Sequence, residues 1–221
     1  MATEHGASQV FTIPHFFESE GEPDAFDIAR FRRHIGAEAG TTLFGIFGYL
    51  REPKRISQCI NAFRKLHAMR PQTMLLIAGD VISRELDRLL ASEAVHPGIR
   101  RLGHLSDADL KVAGASVDCC LNLRYPAAGE TSGIATRVMG SGIPVIATDS
   151  PENTDIPGDA LLRVTPGVAE ATELFSHMLM VTEFPQIARA VGMNGKAHVR
   201  LNHALVTVAD LYGDALCKSV S

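Results

Sequence analysis

The chain has 221 residues, 46% of them apolar, enough for one domain with a core of its own and a small appendage. A net charge of −4 and a pI near 6.1 argue against a nucleic-acid partner, which ordinarily meets a basic surface. No run approaches the roughly 18 apolar residues of a membrane span, and the opening "MATEHGASQV" lacks the basic and apolar regions of a signal peptide. Cys59, Cys119, Cys120 and Cys217 show no CxxC or Cys/His ligand spacing, so there is no case for zinc, and the pattern fits a reducing cytoplasm.

In chain order, Gln9–Ile13 reads as a short strand ended by Pro14, followed by the acidic stretch "ESEGEPD". Phe26, Ile28, Ala29, Phe31 and Ile35 then make a rough helical face. Residues 1–40 are therefore a lead-in strand, linker and short helix, and residues 41–221 the main domain. From Thr41 short β-rich runs alternate with helical patterns. The predicted strands are Thr42–Phe47, Met74–Ala78, Ile99–Leu102, Val117–Leu123, Pro144–Ala147 and Leu161–Val164. Between them Ile56, Cys59, Ile60, Phe63 and Leu66 repeat at helical spacing, as do Leu86, Leu89 and Leu90, then Ile134, Val138 and Met139. Beyond Gly167 the pattern is helical: one helix over Val168–Val181, a second starting at Pro185, a third over Ala204–Cys217. Such alternation predicts an α/β fold, a Rossmann-like three-layer α/β/α domain with a parallel sheet and a helical C-terminal tail. Adjacent Cys119 and Cys120 are read as buried strand thiols.

Ligands of open parallel sheets bind outside the carboxyl ends of the strands, so the strand exits carry the functional reading. In "YPAAGETSG" (Tyr125–Gly133), Thr131 and Ser132 can cap a helix whose free amides suit an anion, while Gly129 and Gly133 allow close approach. Glu130 would repel phosphate and more naturally accepts hydroxyl protons. The stretch equally reads as a plain capped turn. In "GYLREPKR", Gly48 frees the turn and Arg51, Lys54 and Arg55 offer phosphate-binding cations, or an exposed basic helix start. Arg124 ends a strand and Arg137 lies one helical turn past Gly133, each a ligand contact or a packing arginine. His104 reads as structural. Asp149 and Asp155 suit ribose or sugar hydroxyls, or Asx turns. The absence of GxGxxG, a P-loop and a GxSxG elbow speaks against a dehydrogenase, a P-loop NTPase and a hydrolase.

The order of these motifs resembles the C-terminal half of a GT-B fold, retaining glycosyltransferase of glycosyltransferase family four. "GYLREPKR" matches a family pattern G-R-L-x-x-x-K-G, with Lys54 at the phosphate-binding lysine and Tyr49 at the usual arginine. "GHLSDADL" matches a G-x-L-x-D turn, and "GETSGIATRVMGSGIPVIAT" the pattern E-G-F-G-L-x-x-x-E-A-M-A-x-G-x-P-V-I-A-T. Counted back from Gly142, Gly129 stands at the first family glutamate, with Glu130 one position away, and Arg137 stands at the second, which in the family holds the ribose. The resemblance runs from about Val10 to the C-terminus, and "QVFTIPHFF" is similar to the interdomain strand and linker.

The resemblance implies a nucleotide-diphosphate sugar donor (UDP-, GDP- or ADP-linked) cleaved with retention and without a metal or other cofactor. It places Lys54 and Glu130 as catalytic residues. Gly48, Arg51, Lys54, Arg124, Thr131, Ser132, Gly133, Ile134 and Arg137 hold the donor. It also implies a missing N-terminal GT-B domain that binds the acceptor, so that this chain alone transfers nothing. An apolar face left by that domain would drive homodimerisation, and the full enzyme would associate peripherally with membranes. The rival reading is a non-catalytic Rossmann-like nucleotide-binding or protein-interaction module.

Overall fold

In the computed structural model, which describes residues 11, 13–18, 21–127, 129 and 131–219, the six apolar runs form six parallel strands. They are β1 (Thr42–Phe47), β2 (Thr73–Ala78), β3 (Ile99–Leu102), β4 (Cys119–Asn122), β5 (Val145–Thr148) and β6 (Leu162–Val164). Their order in the sheet is β3-β2-β1-β4-β5-β6. The register opposes Thr42 to Thr73 and Phe47 to Ala78 between β1 and β2, and Phe44 to Cys119 between β1 and β4.

Alternation within each strand explains why the runs look continuously apolar. Phe44, Ile46, Leu75, Ile77, Cys119 and Leu121 point to one face, Leu43, Phe47, Leu76 and Cys120 to the other. The first face is covered by α2 (Ile56–Met69), α3 (Arg84–Glu93) and α6 (Glu170–Glu183). The second carries α1 (Ala25–His34), α4 (Asp107–Ser116) and α5 (Gly133–Gly140). Helix α7 (Pro185–Asn202) serves both, packing Ala188 into the first core and Val199 into the second. The last helix, α8 (Leu205–Ser219), leaves Val206, Tyr212 and Leu216 exposed. The fold is thus the expected Rossmann-like α/β/α arrangement with a helical tail, and Cys59, Cys119 and Cys120 are buried free thiols.

The helices that follow β2, β3 and β4 open on a serine cap. The hydroxyls of Ser83, Ser106 and Ser132 accept from the amides of Leu86, Asp109 and Ala135. Helix α2 has no side-chain cap. It is preceded by a 3-10 turn, Glu52–Lys54, and by Arg55 in the left-handed region at φ 55°. The expected strand Gln9–Ile13 lies largely outside the described residues. The lead-in is tied to the far end of the chain: Phe17 N–H donates to His203 O at 2.6 Å, and the His203 ring bonds His15 O at 2.7 Å. The ring of Phe17 packs against Gly140 of α5. No helix among the described residues is long and apolar enough to cross a membrane.

Where β1 and β2 end, two glycines with positive φ lie in contact: Gly48 at 85° and Gly79 at 138°. A Cβ on Gly79 would stand 2.0 Å from the Gly48 carbonyl oxygen. Gly79→Ala is therefore expected to destabilise the fold by about 3 kcal/mol, from backbone strain and the clash together. Urea unfolding checks this; a loss below about 1 kcal/mol would show that the two exits can separate.

Candidate functional site

The sheet reverses its direction of growth between β1 and β4. After β1 the chain turns to α2 on one face, and after β4 it turns to α5 on the other, so no crossover covers the gap between the two exits. A cavity of about 310 Å³ opens there.

From the β1 side come Gly48, Arg51 and Lys54, and from the β4 side Arg124, Gly133, Ile134 and Arg137. These are seven of the residues expected from the sequence to hold a ligand. A Cβ on Gly48 would lie 3.3 Å from Lys54 Nζ and 3.2 Å from Ile134, so the lysine amine, the turn and the start of α5 meet at one point. The 3-10 turn folds Lys54 inward, where its ammonium donates to the Phe47 carbonyl and is 8% exposed. Burial lowers its pKa from 10.5 to about 8, and the charges of Arg124 and Arg51 push the same way. The amides of Gly133 and Ile134, at the first turn of α5, have no acceptor within the helix.

Other expected residues take different places. Ser132 is the cap of α5; its hydroxyl donates to Asn122 Oδ1 at 3.1 Å and accepts from Ala135 N–H and Arg124 Nη2. That hydroxyl is occupied by the fold. Thr131 precedes the cap and does not line the cavity. Arg55 leaves the group of three cations: its guanidinium bonds the buried Glu170 of α6 at 2.7 Å. Asp149 faces Arg163 at 3.5 Å rather than the cavity. Glu130 lies outside the described residues.

A second set of lining residues was not anticipated. Leu50 N–H donates to Asp80 O at 2.7 Å, which carries the Asp80 carboxylate into the cavity, where it meets His104 Nδ1 at 2.8 Å. His104 thus lines the site. Asp107, in the first turn of α4, stands 3.6 Å from Arg137. The signal for both acids was present in the exits "GDVISR" and "GHLSDAD", but their partners come from other strands and helices. The cavity therefore offers cations suited to phosphates and, paired with His104 and Arg137, two acids suited to hydroxyls.

Comparison with known proteins agrees with this architecture. The model of the family described as Glycosyl transferases group 1 matches residues 41–191. No curated protein sequence matches the chain. Anabaena Alr3699/HepE, solved with UDP and glucose, superposes with a TM-score of 0.81 at 22% identity, over 93% of this chain and 56% of its own. Sucrose-phosphate synthase from Thermosynechococcus elongatus gives 0.79 at 21%, over 97% of this chain and 53% of its own. The C-terminal domain of a glycosyl transferase group 1 family protein (LpcC) from Francisella tularensis gives 0.68 at 16%, over 86% of this chain and 96% of its own. The chain thus spans little more than half the length of the first two.

The lysine carries a stability signature. Its folded pKa lies below its unfolded value, so the unfolded chain binds the proton more tightly; the cost is full below about pH 8 and fades as pH rises towards 10.5. Lys54→Met is expected to raise the stability of the ligand-free protein at pH 7 by about 1–3 kcal/mol, with a smaller gain at pH 10. Chemical denaturation at the two pH values checks this, and a variant no more stable than wild type at pH 7 would contradict the buried ammonium.

Proposed function

The chain belongs to the group 1 glycosyl transferases, and from that premise we propose that it is the donor-binding domain of a retaining glycosyltransferase of family four. Residues 1–40 are then the lead-in and residues 41–221 the nucleotide-sugar domain, the C-terminal half of a two-domain enzyme whose other half binds the acceptor. The observation that carries this reading is the meeting of Lys54, Gly48 and the start of α5 at the β1/β4 gap. A solved structure that holds UDP and glucose shares this fold.

In this reading a UDP-, GDP- or ADP-sugar lays its diphosphate against Lys54, Arg51, Arg124 and the amides of Gly133 and Ile134. As the bond between the anomeric carbon and the β-phosphate oxygen breaks, negative charge gathers on the departing diphosphate. Fixed donors already aimed at that charge stabilise it without reorganising. The Lys54 ammonium matters most because it is desolvated in advance, so an approaching anion gains more from it than from an exposed lysine. Protein cations supply the counter-charge, so no metal is required. Glu130, two residues before the cap in sequence, is the carboxylate assigned to the donor sugar. The paired acids Asp80 and Asp107 face the nucleoside.

A second reading, a nucleotide-binding module without catalysis, draws on Arg137 at the place of the second family glutamate, neutralised in part by Asp107. Turnover separates the two readings once an acceptor domain is supplied.

Thermal shift with UDP, GDP, ADP and their sugars is the first test. At 100 times Kd a bound nucleotide adds about 2.7 kcal/mol, or roughly 5–10 °C for a domain of this size. Lys54→Ala should remove most of the shift and EDTA should leave it intact. The purified chain should neither hydrolyse nor transfer the donor. A panel without any shift, or an unchanged shift in Lys54→Ala, would refute the site; robust turnover by the chain alone would refute the division of labour.

The same lysine sets a pH dependence. Its protonated fraction falls through about pH 8, so nucleotide affinity should fall between pH 7 and pH 9. Lys54→Arg, charged throughout, should flatten that profile; equal slopes in calorimetry would exclude the ammonium as the phosphate partner.

A further inference from the structure

Glu152 lies in the turn after β5, beyond Thr148, where the matched family pattern ends. Its Oε1 accepts the Gly129 N–H at 2.7 Å, across the opening between the β4 and β5 exits. Its Oε2 is closed off from solvent and has no hydrogen-bond partner. A carboxylate oxygen in that state costs stability on its own. Burial by itself would raise its pKa, yet the nearby Ser150 hydroxyl, its own backbone and the Gly129 amide, with the Arg124 charge, hold it below the ordinary value, so it stays ionised.

The loop it holds leads into the diphosphate site. Its base is fixed where Arg124 N–H donates to Thr148 Oγ1 at 2.9 Å and Tyr125 N–H to Pro53 O at 2.8 Å, beside Lys54. Its far end is fixed by the Ser132 hydroxyl on Asn122. Between these anchors Gly129 turns with φ 81°, and the Glu152 carboxylate is its tether. Glu152, Arg124 and Ser132 together line a cleft of only about 10 Å³, too small for any part of a nucleotide sugar. The residue therefore acts on the loop and not on the ligand.

We infer that Glu152 is a positioning residue: it holds the Gly129 turn so that the segment entering α5 presents its N–H groups to the donor diphosphate in one geometry. The inference rests on the donor-site reading above. Without the tether the loop samples several conformations, and binding must first select one.

Calorimetry on the full 221-residue chain tests it, with wild type, Glu152→Ala, Glu152→Gln and Lys54→Ala against whichever of UDP, GDP or ADP binds. Glu152→Ala is expected to weaken binding about tenfold, the loss of one hydrogen bond to a charged acceptor. Its ligand-free melting temperature should fall by only about 2–4 °C, the modest loss that one hydrogen bond and a lowered pKa imply, while amide exchange at Gly129 should speed up. Glu152→Gln keeps an acceptor for that amide and should stay within about threefold of wild type. Unchanged affinity in Glu152→Ala, a Gln variant as weak as the Ala variant, or an Ala variant that does not fold would each overturn the positioning role. If Lys54→Ala still loses binding in those cases, the donor site stands without it. If wild type binds none of the three nucleotides, the site reading fails and the positioning role falls with it.

Discussion

β1 and β4 are neighbours in the sheet although two strands and three helices separate them in the chain, and their connections leave towards opposite faces. That arrangement keeps the edge between them uncovered. A parallel strand must be followed by a crossover on one side or the other, and only where the side changes does a gap remain at the carboxyl end. The turn carrying Lys54, the loop carrying Arg124 and the start of α5 all face this gap because of it. The glycine contact at the ends of β1 and β2 serves the same geometry from below. It lets the two exits run side by side, so that Asp80 enters the cavity next to Leu50.

The site is held at a cost. Lys54 is buried on a carbonyl oxygen, with Arg124 and Arg51 near enough to disfavour its charge. Arg55 sits in a left-handed conformation uncommon for a side chain of its size, and the buried Glu170 holds it there. Glu152 keeps one carboxylate oxygen unsatisfied. Each is a small penalty that a stability-only design would avoid, and all three lie at or beside the exits of β1, β4 and β5. Of the three, Lys54 is the one that lines the cavity, and desolvated, preplaced charge binds phosphate better than solvated charge does.

The lead-in and the tail meet. Phe17 pairs with His203 and Ala204 and packs against Gly140, so residues from both ends of the sequence support the same helix, α5, whose first turn opens the site. His15, on that lead-in, stands against Gly133, where a Cβ would come within 3.1 Å of its ring. The chain spans little more than half of the neighbours Alr3699/HepE and sucrose-phosphate synthase, and nearly the whole of the LpcC C-terminal domain.

Composition and periodicity alone determined the architecture. The strands over Thr42–Phe47 and Ile99–Leu102 were legible to the residue, and the other four to within two residues, because a strand buried on both faces must be apolar throughout. The helical tail was legible for a similar reason, with Pro185 opening α7 as the sequence indicated. The cationic side of the site was legible too, because strand exits are local and lysine, arginine and glycine there have few other uses. Tertiary structure decided the rest. It drew Arg55 away to Glu170, spent the Ser132 hydroxyl on a cap, and turned Asp149 to Arg163. It brought Asp80, His104 and Asp107 into the cavity from β2, β3 and α4, and set Glu152 on Gly129 across 23 residues of chain. A side chain's partner depends on which elements the sheet order makes adjacent, and no local pattern of residues encodes that order.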